Sequence, residues 1–435
     1  MRRICVFIVL LSMSSVCWGQ NWPQWRGPFL NGSAEIENLP ASWSDTENKA
    51  WELKLPGDGA ATPIVWDDKL FLASTDGGYI KLYALCVDIN KGEILWQKQV
   101  SEVTFDRGRN QQNNTKATTS PVTDGKLAYF LFGTGDMAAY DFAGKEIWQR
   151  QLSKDYGNFD LNWGYGSSPL LVGERIFIPV LRRDQPWHPA AGDIEPHESL
   201  VLALDKATGK TLWKHKRQTD AVNESQDAYT TPMLYEGQGR TEIIIVGGDY
   251  ATGHNPETGE ELWRFSYAPQ KSRVWRLVPS ALVAEDLILV TAPRGGQPMY
   301  ALKAGGSGTL DTDDVAWAFE RDTPDVCTPL YYRGRIYVMN DNQKVISCLD
   351  PKTGKPIWRG ELDGRPVYRA SPTGADGKVY CVSEGGEVVV LAAGDEFQEL
   401  FRTQLNESPT RSSVVAAAGR LFLRTPTKLI CLKKE

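Results

Sequence analysis

Three arginines, Arg276, Arg369 and Arg411, each stand a few residues ahead of a short apolar run, and so do Lys116, Tyr165, Tyr229 and Asp325. A guanidinium presents its N–H donors in a planar fork that suits carboxylates and other planar or anionic groups, and Arg and aromatic side chains also anchor protein contacts. Brought together, these seven positions would offer binding chemistry: capture of a small polar ligand or of a protein surface. The competing reading is a solvated funnel whose arginines pair with Asp and Glu from neighbouring elements, because surface ion pairs are common and weak.

Patterns that announce covalent or metal chemistry do not occur. There is no G-x-S-x-G, H-E-x-x-H or P-loop. His188 and His197 bracket Asp193 and Glu195, but match no ligand spacing. Asp311, Asp313 and Asp314 hint at an oxygen-rich loop without the glycine and terminal glutamate of a calcium hand, and read as a solvated turn. Beyond residue 19 the cysteines are Cys86, Cys327, Cys348, Cys381 and Cys431; their odd number and wide spacing give no disulfide framework and no CxxC, so they are expected as small buried residues. No residue is assigned as catalytic and none as a metal ligand.

The elements that must position these residues form one repeated unit. Ala203 to Trp213 reads A-L-D-K-A-T-G-K-T-L-W, and Cys348 to Trp358 keeps the same spacing. Copies close on Trp51, Trp96, Trp148, Trp213, Trp263, Trp317, Trp358 and Phe401. These anchors span 401 − 51 = 350 residues in seven steps, or 50 per step. Most copies open on a Ser/Thr-Pro pair such as Thr62-Pro63 or Ser371-Pro372, then run strand, turn, strand, loop, strand, Gly turn, strand. Four antiparallel strands in about 40–50 residues make a β-propeller blade. The aromatic anchors are read as structural: a flat ring on each outer strand covers the next blade and buries roughly 150–250 Å².

The last copy, ending in Lys428 to Leu432, stops after three strands, and the missing fourth appears at the other end as Lys49 to Leu53. Seven whole blades and one shared by the two ends make an eight-bladed ring over 48–435, preceded by a segment 20–47. The long connections (101–118, 153–166, 182–199 and 268–278) all fall on one face, where recognition is usually placed. The seven candidate residues, just ahead of the innermost strands, should ring the central channel on that face.

Composition narrows the class. The chain has 435 residues, 41% of them hydrophobic and 23% charged, ordinary for a globular protein. Lys+Arg 48 against Asp+Glu 54 leaves −6, which argues against nucleic-acid binding. Arg2 and Arg3, the apolar run Ile4 to Leu11, and small residues up to Gly19 read as a secretory signal cleaved after about Gly19. Val16 is too bulky ahead of Cys17 for the usual lipid-attachment site. No apolar stretch is long enough to span a membrane.

The A-x-D-x-x-T-G-x-x-x-W pattern resembles the repeat of pyrroloquinoline-quinone (PQQ) propellers, a superfamily holding the quinoprotein dehydrogenases and the outer-membrane assembly factor BamB. Asn21-Trp22-Pro23-Gln24-Trp25-Arg26-Gly27-Pro28 resembles the opening of secreted bacterial PQQ-binding-like propellers. The resemblance covers essentially the whole chain after residue 19 and implies eight blades. It leaves activity open. The adjacent cysteine pair and the C-x-x-C-H of the alcohol dehydrogenases are missing. The expectation is therefore a periplasmic or secreted monomeric propeller, BamB-like in class, that binds a protein or small polar ligand without catalysis or cofactor. The alternative is a PQQ- and Ca²⁺-dependent dehydrogenase of alcohols or sugars.

Overall fold

The computed structural model describes residues 20–103, 114–159, 161–185, 197–268, 275–294, 296–364 and 367–435. The signal-type segment 1–19 lies outside them, as do His188, Asp193 and Glu195. The described residues form eight sheets, and helix is limited to one five-residue turn, Leu152–Tyr156, and two short 3-10 turns. Blade 1 comprises Ile64–Trp66, Lys69–Thr75, Lys81–Asp88 and Glu93–Glu102. Each later blade repeats that meander, and the innermost strands neighbour one another in sequence order. Middle strands are buried on both faces because adjacent blades cover them; Arg335–Asn340 is buried everywhere except its first residue. Outer strands alternate, as Glu93–Glu102 does, because one face meets solvent.

Ring closure is as the repeat count requires. Lys49–Lys54 forms the outer strand of blade 8, antiparallel to Lys428–Leu432, with Lys49 opposite Leu432 and Lys54 opposite Lys428. Blade 4 departs from the pattern. The insertion in the next repeat adds Gly308–Leu310 as a fifth strand, parallel to Glu261–Ser266.

The aromatic anchors explain the Gly turns. Trp51, Trp96, Trp148, Trp213, Trp317 and Trp358 each donate the indole N–H to a backbone carbonyl of the following blade, at 2.8–3.1 Å. For Trp317 the ring lies flat on the turn glycine of that blade, Gly354, whose φ is +67°. A Cβ there would run into the ring, so the glycine serves both turn and docking. Trp263 differs: its indole bonds the buried Glu242 within its own blade at 2.6 Å, because the added strand occupies the flank where a neighbour's turn would sit. Phe401 has no N–H to give and packs instead against Trp43 of the 20–47 segment, with ring centroids 5.0 Å apart.

Between blades 3 and 4, His254 is buried with its ring 4.8 Å from that of His215. Burial, reinforced by the Arg217 guanidinium and then by His215, pushes His254 down to about 3, with Arg264 adding in the same direction. Burial also lowers His215, although Glu261 opposes it. The unfolded imidazole binds a proton below about 6.5, whereas folded His254 stays neutral, so the unfolded chain binds more protons and stability falls as the pH is lowered. Between pH 6.5 and about 3 the unfolding free energy is expected to drop about 1.4 kcal/mol per pH unit from this group alone. Urea titrations at pH 7 and pH 5 check it: His254→Gln should flatten the difference, and an unchanged pH slope in that variant would refute it.

Candidate binding site

The innermost strands begin on the loop-rich face, and the residue ahead of each carries a hydroxyl: Thr62, Ser120, Ser168, Thr231, Ser280, Thr328, Ser371 and Ser413. These form a hydrogen-bonded annulus. The N–H of Thr62 donates to Ser120 Oγ, Ser120 to Ser168, Ser168 to Thr231, Thr231 to Ser280, Ser280 to Thr328 and Thr328 to Ser371, at 2.8–3.1 Å. Ser413 N–H closes toward Thr62 Oγ1 at 3.2 Å. Buried backbone donors must find acceptors, and at seven of the eight joints one blade takes its acceptor from the next. The Ser/Thr-Pro pairs of the sequence are thus the channel's inner belt, with Ser280 and Ser413 filling the role where no proline follows.

Below this belt the N-terminal segment closes the channel. Trp22 pairs with Val65 in blade 1, Thr123 N–H donates to Pro23 O in blade 2, and Leu171 N–H donates to Gln24 Oε1 in blade 3. Trp25 and Leu30 pack beside the cluster shared by blades 3, 4 and 5. Arg26 donates to Pro329 O and Pro372 O, Tyr331 N–H to Asn31 O, and Gly374 exchanges bonds with Gly32 and Ala34. Every partner lies further along its inner strand than the hydroxyl residue, so the segment crosses beneath the annulus. What remains is a cup of about 460 Å³, within the range of small-ligand sites. Trp25 and the hydroxyl annulus, Ser280 excepted, line it, with Asn114, Trp163, Tyr229, Arg276, Arg369, Glu384 and Arg411 around them.

Of the seven residues expected at the rim, Tyr229, Arg276, Arg369 and Arg411 line the cup. Each arginine is held by a carboxylate: Arg276 by Asp325 at 3.1 and 3.2 Å, Arg369 by Asp341 at 2.7 Å, Arg411 by Glu384 at 2.6–2.7 Å. Asp325 is therefore a positioning partner behind the rim. The funnel of paired arginines and the binding rim are the same set of residues. Tyr165 is placed differently: it is fully buried, its hydroxyl donating to Pro179 O, and it belongs to the wall because Phe159 packs over its ring. Lys116 sits at φ +63°, its stem against Gly133, and does not line the cup.

Two lining features escaped the sequence reading, Trp25 at the floor and the hydroxyls themselves; Trp163, from the long connection 153–166, stands at the mouth. Trp163 is held twice, its backbone N–H on Tyr229 Oη at 3.1 Å and its indole on Glu224 at 3.2 Å. Burial, with the nearby Asp227 carboxylate, raises Tyr229 well above its ordinary range, so it stays a protonated hydroxyl.

Elsewhere, Asp311 and Asp314 cap a tight turn by accepting each other's segment N–H groups. His215, His254 and Glu261 bring ligand-type atoms within 4.8 Å, but both His254 nitrogens are hydrogen-bonded and Arg264 holds Glu261. The five cysteines are buried and free; burial pushes Cys86, Cys348, Cys381 and Cys431 up to about 12. No helix among the described residues is long and apolar enough to cross a membrane.

A family model described as outer membrane protein assembly factor BamB matches residues 36–178, 158–315 and 249–432. BamB of Moranella endobia is 25% identical over 240 residues, 54% of this chain and 49% of that protein. The dehydrogenase subunit of the quinone alcohol dehydrogenase of Gluconobacter oxydans is 23% identical over 230 residues, 48% of this chain and 29% of that protein. The chain thus spans half or less of the length of these relatives. The crystal structure of the quinohemoprotein alcohol dehydrogenase of Comamonas testosteroni superposes with a TM-score of 0.69 at 12% identity, covering 94% of this chain and 80% of that one, a likeness of fold.

Proposed function

Because this chain belongs to the PQQ-like propeller family whose model carries the BamB description, we propose that it is a non-catalytic binding propeller of the cell envelope. It holds a protein partner or a small polar ligand through its loop-rich face. One observation carries the reading: the chain's own N-terminal segment blinds the channel at one end, leaving a cup bordered by Asn114, Trp163, Arg276, Arg369 and Arg411. A rigid ring with one elaborated mouth is suited to recognition. Trp163, 41% exposed and fastened at both ends, offers the apolar contact area that protein hot spots favour.

The dehydrogenase reading draws on the Gluconobacter and Comamonas likenesses. Calcium takes about six to eight oxygen ligands. Among the described cup residues the carboxylate is Glu384, held by Arg411, and the Asn114 amide oxygen already accepts from Lys116 N–H and the Thr118 hydroxyl. That donor set does not fit a resident calcium ion.

Immobilised protein should retain a discrete partner from envelope extract, and Trp163→Ala with Arg369→Gln should release it, while Leu212→Ala on the outer wall should not. Capture indifferent to the mouth substitutions would overturn the reading. Dye reduction on adding PQQ, Ca²⁺ and an alcohol or aldose would replace it with the dehydrogenase.

A further inference from the structure

We propose that the cup receives its ligand by an oxyanion, with the hydroxyl annulus as the receiving group and two buried guanidiniums behind it adding positive charge. This rests on the reading that the cup is the binding site. The cup is rich in donors and poor in acceptors. The hydroxyls of Ser120, Ser168, Thr231, Thr328 and Ser371 line it, each accepting one backbone N–H. A hydroxyl has one proton to donate as well as lone pairs to accept with. None of these five donates its proton to another described residue, so five donors are available to whatever enters. Apart from hydroxyls, the side-chain acceptors among the described lining residues are Glu384, whose Oε1 takes Arg411, and the Asn114 amide oxygen, which takes Lys116 N–H and the Thr118 hydroxyl.

Charge points the same way. The three rim arginines are balanced by Asp325, Asp341 and Glu384. Arg26 and Arg424, 2% and 1% exposed, are held by backbone carbonyls only: Arg26 by Asn31, Pro329 and Pro372, Arg424 by Ala61 and Ala73. Pro329, Pro372 and Ala61 adjoin the annulus residues Thr328, Ser371 and Thr62. Two cations without a carboxylate in hydrogen-bond contact therefore sit against the belt. Burial lowers Arg26 to about 9 and, against the opposing pull of Asp58, Arg424 to about 10.

Shape adds one constraint. The floor is closed by Trp25, so a chain cannot thread through; a ligand must present an end. An oxyanion at such an end is either the C-terminal carboxylate of a protein segment or the carboxylate or phosphate of a free small molecule.

Trp25 and Trp163 line the cup, so intrinsic fluorescence reports entry. The probes are citrate, inorganic phosphate, and N-acetyl-Ala-Ala-Phe with a free or an amidated C-terminus. Saturable binding of an oxyanion probe is expected, weakened about tenfold or more by Thr328→Val, restored by Thr328→Ser, and unaffected by Arg335→Gln at the turn face opposite the loops. Preference for the free-acid peptide assigns a chain end; preference for citrate or phosphate assigns a small oxyanion. Equal binding of the amidated peptide, or binding of none of the probes, overturns the proposal. If no probe binds while partner capture still depends on Trp163, the oxyanion idea falls and the binding propeller stands; if capture is indifferent too, both fall.

Discussion

A chain that begins at Pro56 is expected to lose its sharp unfolding transition, whereas one that begins at Asn48 keeps it. Both lack the segment that blinds the channel and packs Trp22, Leu39 and Trp43 into the core; the first also lacks Lys49–Lys54, the strand that completes blade 8. Three kinds of interaction go with that strand. The ladder to Lys428–Leu432 is broken, Trp51 no longer donates to Ile89 O of blade 1, and Leu53 leaves the large cluster beneath blades 8, 1 and 7. Losing the Trp alone should cost about 3–5 kcal/mol. The exposed edge of Lys428–Leu432 then becomes a template for pairing with other chains. Calorimetry should find a lowered, broadened transition with concentration-dependent association. The same midpoint in both chains would contradict closure by the terminal strand.

The second large effect is expected at a single side chain. Trp317→Ala should cost about 3–5 kcal/mol, the usual range for deleting a buried aromatic. Trp317 is 9% exposed, its indole donates to Pro351 O at 2.9 Å, and its face covers Gly354. Trp317→Phe retains most of the apolar contact and loses the hydrogen bond, so it should cost about 1 kcal/mol or somewhat more. Gly354→Val attacks the same joint from the other blade, through both the strained φ and the collision with the ring. Denaturant titrations of the three variants measure this order. Trp317→Ala within experimental error of the parent would mean that blades dock by some other means.

Much of the architecture was legible because propeller repeats are local. Strand alternation, the D-x-x-T-G turn and the closing Trp lie within about a dozen residues of one another, and each has its own physical cause: side-chain period two, positive φ at glycine, and the area a flat ring can cover. Counting them predicted eight blades, and the short last copy predicted the shared one. The exceptions are non-local. Trp263 turns inward because an insertion from the next repeat lays a strand along its blade, and no spacing around Trp263 announces that.

The candidate site was legible in part. Placing residues ahead of each inner strand brought Tyr229, Arg276, Arg369 and Arg411 to the cup, since topology sends every such position to one ring. The same rule misjudged Tyr165 and Lys116, because position on the ring does not settle which way a side chain turns. Tyr165 lies back into an apolar wall beside Phe159, and Lys116 lays its stem against Gly133.

By itself, then, the amino-acid order determined the blade, the count and the joint between the chain ends, since those follow from periodicity and from pairing between repeats. Only tertiary structure decided that the channel is blind and that hydroxyls outnumber acceptors inside it. It also decided that each rim arginine arrives with a carboxylate already bound. Those properties depend on residues hundreds of positions apart, such as Arg26 with Pro372, meeting at the axis of a closed ring.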